Sequence, residues 1–216
     1  MSPSVTCSER ALNAAMLRTG RTGRRTTVRL LLALIALGGT PLCATSQVLL
    51  TQEEALRLAF PPPVTVERRT AFLDEDDISE VKRLTEPAES EGRSVVTYYI
   101  GQMGDEPLGA AYFDAHRVRT LQEVLMVVVD TDGRVARIVV LGFAEPPEYM
   151  PPDGWLELFS GRGLDDGTST RRDIPLITGA TLTARATTGA VRRSLALHEV
   201  IHPFSDPASD KGAGGQ

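Results

Sequence analysis

The residues with the most distinctive chemistry form a short string near the carboxyl end of the chain, Thr178-Gly179-Ala180-Thr181-Leu182-Thr183. Glycine permits positive φ and close approach of a ligand to the backbone, and two of the threonines flank Leu182 with hydroxyls. Apolar spacing predicts a helix over residues 184–200, with Thr183 as its N-cap. A helix N-terminus stabilises a nearby phosphate, and Arg185 could add a charge-assisted contact. A plain capping turn is the alternative, because short strings of this kind are common.

A second pattern with chemical potential is His198-Glu199-Val200-Ile201-His202. Two histidines one helical turn apart can bind zinc while the glutamate acts as a general base, which would make the chain a zinc hydrolase. Two features weigh against this interpretation. Pro203 ends the helix immediately after the second histidine, and the residues downstream offer neither a histidine nor a glutamate as a third ligand. We therefore predict no metal site.

Residues 1–44 have the pattern of an export signal. Arginines precede the apolar run Leu30–Leu37, and small residues follow it near Ala44. This order is typical of a cleaved signal peptide, and the run is short of the about 20 residues that span a bilayer. A retained anchor is the alternative. We expect an exported protein, located in the periplasm or on the outer face of the cytoplasmic membrane.

Cysteine content and charge narrow the function classes. Cys7 and Cys43 both lie within the predicted signal, so the expected mature chain has no disulfide, iron–sulfur ligand or haem attachment. The signal also holds six arginines and one glutamate, so its removal changes the formal charge from −5 to −10. An acidic chain of this kind does not favour nucleic acid as a partner. We predict one domain over residues 45–202 and a disordered tail at 203–216.

The elements that must position these residues can be read from the periodicity. Thr51 and Glu54 form a capping box that opens a helix ended by Phe60 and three prolines. A second, polar helix is expected over 77–84. Strands at 94–100, 108–113, 123–129 and 134–143 make two hairpins, with turns at Gly104 and Gly133. The predicted fold class is α+β, a single domain with a small antiparallel sheet of hairpins packed against several helices.

After the second hairpin the chain continues with a Phe-x-Glu-Pro step at Phe143, then Tyr149, Trp155 and a Phe-x-Gly at Phe159. Together with His116-x-Arg-x-x-x-x-x-Glu123 and the final Gly-Ala-Thr-Leu-Thr, this order resembles the FMN-binding domain family. That family is best known from small FMN subunits of the RNF and Na⁺-translocating NADH:quinone reductase complexes. The resemblance covers about two thirds of the expected mature chain, and its specificity comes from the order of the pieces.

The resemblance implies a tethered flavin carrier rather than a stand-alone enzyme. The phosphate of FMN would be joined to the Thr181 hydroxyl, with Thr178, Gly179, Ala180, Leu182 and Thr183 around it. It also implies a flavin transferase as the modifying partner and a membrane-bound redox partner. The family motif has an aspartate where this chain has Pro175, and the nearest acid is Asp173. A non-covalent FMN-binding or sensing module is therefore the alternative.

Three further residues are candidates for the flavin site. Tyr149 and Trp155 could form walls of a flavin pocket, although Trp155 could equally staple its loop to the core. Glu145 could hydrogen-bond the flavin or cap a turn. We expect His116 to be a structural partner of Glu123 rather than a proton donor.

Overall fold

The computed structural model describes residues 47–85, 92–164, 168–169 and 173–205. The predicted export signal and residues 206–216 of the predicted tail lie outside these ranges. Of the helices in the described ranges, none combines the length and the hydropathy needed to cross a bilayer.

A six-stranded antiparallel sheet forms the centre of the domain, in the order β1-β6-β5-β4-β3-β2. Its strands are β1 (Gln47–Val48), β2 (Thr65–Phe72), β3 (Val95–Met103), β4 (Glu106–Arg117), β5 (Gln122–Val129) and β6 (Val135–Phe143). From β2 to β6 each strand pairs with the next one along the chain. The β4–β5 pair lies in the middle, and its register places His116 directly opposite Glu123.

Both faces of the sheet are covered, which explains the nearly continuous apolar sequence of β5. One face packs against α1 (Gln52–Ala59), with Phe60 lying over Gly101. The other face packs against α3 (Asp153–Leu156), the 3-10 turn Glu157–Phe159 and the long helix α4 (Thr181–Ile201). Helix α2 (Glu75–Thr85) packs beside α4. Alternation along β4 directs Tyr112, Asp114 and His116 toward the α4 face.

Local capping accounts for the ends of the two amino-terminal helices. The capping box predicted at Thr51 is present, since the Thr51 hydroxyl accepts from Glu54 N and the Glu54 carboxylate accepts from Thr51 N. Asp74 caps α2 by accepting hydrogen bonds from the backbone N–H groups of Asp76 and Asp77, both at 2.9 Å. The acidic run at 74–77 is therefore a helix N-terminus.

The α+β class is confirmed, and the four predicted strands correspond to β3 to β6. Two strands were not predicted. β2 carries Glu67, Arg68 and Arg69 and is largely exposed, because only its β3 side is paired and it lies at the edge of the sheet. An edge strand does not need the apolar alternation on which sequence reasoning depends. β1 has only two residues and shows no period at all.

Candidate functional site

The string at residues 178–183 forms the turn that begins α4. Gly179 adopts a φ of +82°, a conformation that favours glycine, and the space where its side chain would lie is open. Ala180 is the buried N-cap, and its N–H donates to the Ile177 carbonyl at 3.0 Å. Thr181 is the first helical residue and is half-buried, while Thr178 is exposed. Thr181 therefore lies at the N-terminal end of α4, with part of its surface accessible.

The prediction that Thr183 caps the helix is wrong. The helix begins at Thr181, three residues earlier than predicted, so Thr183 lies within the first turn and only 1% of it is exposed. Ala184 N donates to the Ala180 carbonyl at 3.0 Å, which fixes this start. The apolar period used to place the helix began with Ala184 and therefore missed its first three residues.

The N-terminus of α4 has the composition of an anion site. Among the described residues no side chain caps it, and its first turn contains no acidic residue. The first N–H groups of a helix have no partner within the helix and carry the positive end of its dipole. Leu182 is 49% exposed, and Arg185 is exposed one turn further along. A phosphate at this end would meet N–H donors and a cation, and no carboxylate from the first turn would repel it.

A cleft of about 1010 Å³ begins at this helix end and runs between α2, α4 and the carboxyl end of β4. One side of α4 faces it through Leu182, Arg185, Ala186, Gly189, Arg193 and Leu197. The opposite walls are Leu73, Ile78, Val81, Gly92, Arg93, Asp114, Ala115, His116, Arg117, Val118 and Gln122. The described lining thus combines an apolar surface with four arginines and a single carboxylate. Its size and mixed character suit a cofactor-sized anion.

A buried ionic network crosses one wall of the cleft. Arg193 donates two hydrogen bonds to the Asp114 carboxylate, from Nε at 3.0 Å and from Nη2 at 2.8 Å. The ring of His116 lies between two carboxylates, with Nδ1 2.9 Å from Asp114 Oδ1 and Nε2 2.9 Å from Glu123 Oε2. Thr187 of α4 donates its hydroxyl hydrogen to the same Glu123 oxygen at 2.9 Å. The predicted pairing of His116 with Glu123 is present, and the network joins α4 to the two central strands.

The network shifts the pKa values of His116 and Asp114 so that the charged form of each is favoured. Burial opposes the charged ring of His116, but hydrogen bonds to Asp114 and Glu123 outweigh it and raise its pKa above the usual 6.5. Burial also opposes ionisation of Asp114, yet hydrogen bonds from His116 and Arg193 hold the pKa of this carboxyl well below its usual range. Both shifts favour the charged form of the group.

Trp155 supports the loop before the string instead of lining the cleft. It is 8% exposed, and its ring packs edge-on against Phe159 with centroids 5.2 Å apart. Its Nε1–H donates to the Pro175 carbonyl at 2.7 Å. The staple interpretation fits this geometry, because the indole anchors the segment that leads to Thr178.

Glu145 and Tyr149 are also not among the residues that line the cleft. Oε1 of Glu145 accepts hydrogen bonds from the backbone N–H groups of Thr120 at 2.7 Å and Leu121 at 2.8 Å. These bonds lower the pKa of Glu145 and match the turn-capping alternative. Tyr149 is half-buried at the end of the 3-10 turn Pro147–Tyr149.

The His198-Glu199-x-x-His202 pattern is divided between the core and the surface. His198 is 8% exposed, and its Nδ1 lies 3.2 Å from the Tyr112 hydroxyl. Glu199 is exposed, and His202 lies just beyond α4 with a φ of +48°. Within the described residues, no group of three acidic, histidine or cysteine side chains is arranged to hold a metal ion. Burial lowers the pKa of His198 to about 4.

Three members of the network were missed by sequence reasoning, Asp114, Thr187 and Arg193. The predicted strand ended at residue 113, so Asp114 fell outside it, whereas β4 continues to Arg117. Extending that strand would have placed Asp114 and His116 on one face by their spacing of two. No local signal pairs Arg193 with Asp114, because the two residues are 79 positions apart.

Comparison with known proteins identifies the class of domain that this fold and cleft form. Residues 122–196, from β5 into α4, match the FMN-binding domain family. Two relatives, both from Cereibacter sphaeroides, are named as subunits of an ion-translocating oxidoreductase complex. The one from strain ATCC 17029 is 30% identical over 148 residues, which are 60% of this chain and 63% of the relative. The one from strain ATCC 17023 is 30% identical over 145 residues, which are 58% and 61% of the two chains.

No solved structure matches the chain. The match spans less than two thirds of the length of each curated relative. At the level of the domain the result is direct. The chain carries an FMN-binding domain, which confirms the resemblance predicted from its sequence, and the cofactor of this domain is FMN.

Proposed function

We propose that the protein is an extracytoplasmic electron carrier whose FMN is attached through a phosphoester to Thr181. One observation carries this proposal. Within a matched FMN-binding domain, a half-buried threonine opens a 21-residue helix whose end has no side-chain cap and borders a basic cleft. The bond would join Thr181 Oγ1 to the FMN phosphate, with the overall loss of one water.

The residues at the helix end fit a phosphate. The N–H groups of the first turn provide donors, and the absence of a first-turn carboxylate removes repulsion. Gly179 keeps the approach open, since nothing lies within 4 Å of the position where a Cβ would be. Arg185, on the same side of the helix as the cleft, supplies a positive charge.

The cleft fits the remainder of the cofactor. Apolar side chains from α2 and α4 line it, among them Ile78, Val81 and Leu182, and such surfaces bind flat rings. When bound, FMN supplies reversible electron transfer, which the side chains of the domain do not provide. The protein holds the ring against α4, shields part of it from water and supplies arginines around it.

The predicted signal and the relatives support the proposed partners and location. An exported domain loses a dissociating cofactor to dilution, so a covalent tether has a clear advantage there. We propose a flavin transferase as the modifying partner. We also propose a membrane-bound redox partner, in keeping with relatives named as subunits of an ion-translocating oxidoreductase complex.

Pro175 supports a second candidate, in which FMN is bound without a covalent bond. It takes the place of the aspartate expected in the flavinylation motif, and its carbonyl is engaged by Trp155. Asp173 lies two residues earlier, with a carboxylate oxygen 3.6 Å from Arg162. A transferase that requires the aspartate would leave Thr181 unmodified, and the cleft would then hold FMN reversibly.

The deciding experiment is co-expression of the chain with a flavin transferase, followed by intact mass and flavin fluorescence in a denaturing gel. We expect a mass increase of one FMN less one water, located on the peptide that contains Thr181. Thr181→Ala should lose this signal completely. Thr131→Ala is the matched control, because it removes an exposed hydroxyl in the turn between β5 and β6, outside the string, and should keep the signal. Full fluorescence in Thr181→Ala would contradict the proposal, and a yellow protein of unmodified mass would support the reversible site.

Location is tested separately by cell fractionation of the full chain and of a chain that begins at residue 45. The full chain should collect outside the cytoplasm and carry flavin, whereas the truncated chain should stay inside. Equal distribution of the two would overturn the extracytoplasmic assignment without affecting FMN binding.

A further inference from the structure

The hydrogen bonds around His116 determine its protonation state. Each ring nitrogen lies 2.9 Å from a carboxylate oxygen, one of Asp114 and one of Glu123. An ionised carboxylate accepts hydrogen bonds and cannot donate them, so both ring nitrogens must carry hydrogen. His116 is therefore an imidazolium, and only 10% of its side chain is exposed. With Arg193 it supplies two positive charges to the network, which balance the two carboxylates.

One oxygen of the Glu123 carboxylate lacks a hydrogen-bond donor among the described residues, which indicates that the network has a role beyond stabilising the fold. Glu123 is fully buried, and its Oε1 has no hydrogen-bond partner among the residues that the structure describes. A buried carboxylate oxygen without a donor is costly, and a network built only for stability would satisfy it. The negative charge of Glu123 is instead compensated through its other oxygen, by His116 and Thr187. This arrangement favours retention of the proton on His116.

The network also faces the cleft in which we place FMN. Asp114, His116 and Arg193 are part of its lining, along with the more exposed Arg93, Arg117 and Arg185. Arg193 donates to Asp114, and the other three arginines strengthen the positive potential of the cleft. No carboxylate other than Asp114 lines the described part of the cleft.

We propose that the buried His116 imidazolium tunes the bound flavin by stabilising the negatively charged form of its reduced ring. The inference rests on the proposed placement of FMN in this cleft, but it does not depend on the covalent bond. Reduction adds two electrons from a redox partner protein and one proton from water, and it leaves one negative charge on the ring. A fixed positive charge nearby in a medium of reduced polarity favours that product. His116 is thus a tuning residue that needs no contact with the reacting atoms.

The first test measures the midpoint reduction potential of the bound flavin at pH 7 in two variants that change the charge of the network in opposite directions. His116→Gln removes the positive charge and leaves the network one charge more negative, so the potential should fall. A tenfold weaker preference for the reduced flavin corresponds to about 30 mV in a two-electron couple. Glu123→Gln makes the network one charge more positive, so the potential should rise. A mere loss of packing would move both variants in the same direction.

His202→Gln is the matched control, because this histidine is exposed beyond the end of α4 and should leave the potential unchanged. The second readout does not need flavin. In the full chain with Thr181→Ala and no added FMN, nitrogen NMR should show both ring nitrogens of His116 protonated at pH 7. If His116→Gln fails to fold, the sign of the Glu123→Gln shift and the NMR result decide the matter.

The outcomes separate this inference from the proposed function. A neutral His116 at pH 7 would overturn the inference, and so would shifts of the same sign in the two variants, while FMN binding would stand. A wild-type chain that takes up no FMN would overturn the proposed function and the tuning role together. Unmodified mass with bound, reducible FMN would remove only the covalent bond and would leave the tuning role in force.

Discussion

Two largely buried histidines, packed between the same helix and the same sheet, have pKa values shifted in opposite directions. His116 lies between the carboxylates of Asp114 and Glu123. His198 lies against the Tyr112 hydroxyl and the ring of Phe204. Tyr112, Asp114 and His116 alternate along β4, so an aromatic environment gives way to an ionic one within a few residues of a single strand.

The comparison shows that the partners, and not burial itself, decide the charge. Burial is the largest single influence on the pKa of both rings, and it favours the neutral form of each. It prevails at His198, where the pKa falls to about 4, although Asp130 acts weakly in the other direction. At His116 two carboxylates reverse it and raise the pKa. The ionic region borders the cleft, whereas the aromatic region completes the core.

The largest expected effect comes from breaking the ionic region. Asp114→Ala removes the carboxylate that pairs with both Arg193 and His116. It leaves two cations close together and largely buried, so we expect a loss of about 3–5 kcal/mol in the free energy of unfolding. Chemical denaturation at pH 7 measures it.

Asp105→Ala is the control for this variant, because Asp105 is an exposed residue in the β3–β4 turn. It should change stability by less than about 0.5 kcal/mol. Equal small effects of the two substitutions would mean that the ionic region contributes little to stability.

A second prediction contrasts the pH dependence of the two histidines. His198 has a folded pKa of about 4 against 6.5 when unfolded. Its contribution to stability is therefore present above pH 6.5 and is lost as the pH falls toward 4, amounting to about 3 kcal/mol. His116, with a raised pKa, contributes below 6.5, and that contribution is lost as the pH rises through its folded value.

Denaturation curves between pH 4 and pH 8 test the contrast through two variants. His198→Leu should lose less stability than wild type on acidification, because it has no ring to protonate in the unfolded chain. His116→Gln should lose less than wild type on the alkaline side. If each variant runs parallel to wild type across this range, the assignment of opposite shifts is wrong.

The same comparison separates the features that could be predicted from the sequence from those that could not. The hairpins, the capping box at Thr51 and the α+β class depend on neighbours a few residues apart, and all were predicted. The pairing of His116 with Glu123 was predicted as well, since the two residues lie seven positions apart across a hairpin. These features are encoded by periodicity and turn chemistry.

Contacts between distant segments could not be read in this way. Arg193 meets Asp114 over 79 residues, and Tyr112 meets His198 over 86. Such pairs follow from the placement of α4 on the sheet, which local periodicity does not specify. The Trp155 contact with Pro175 is of the same kind, and it fits the second of the two roles weighed for this residue, that of a staple for its loop.

The smallest expected effects compare one hydrogen bond from each region. Thr187→Val removes the hydroxyl that donates to Glu123 at 2.9 Å, and Tyr112→Phe removes the hydroxyl that lies 3.2 Å from His198. Each change nearly preserves shape and leaves a buried partner with one contact fewer. Because hydrogen bonds to charged groups are the stronger kind, we expect about 2 kcal/mol for Thr187→Val and about 1 kcal/mol for Tyr112→Phe.

Urea denaturation of both variants at pH 7 measures the difference, with Tyr99→Phe as the control. The Tyr99 hydroxyl accepts a hydrogen bond from the exposed Gln52 at 2.6 Å, and water can replace that bond at little cost. A loss in Tyr112→Phe that equals or exceeds the loss in Thr187→Val would mean that the hydrogen bond to Glu123 is no stronger than the one to His198. His116 contacts the same Glu123 oxygen as Thr187, so this small difference tests the ionic region at its least satisfied member.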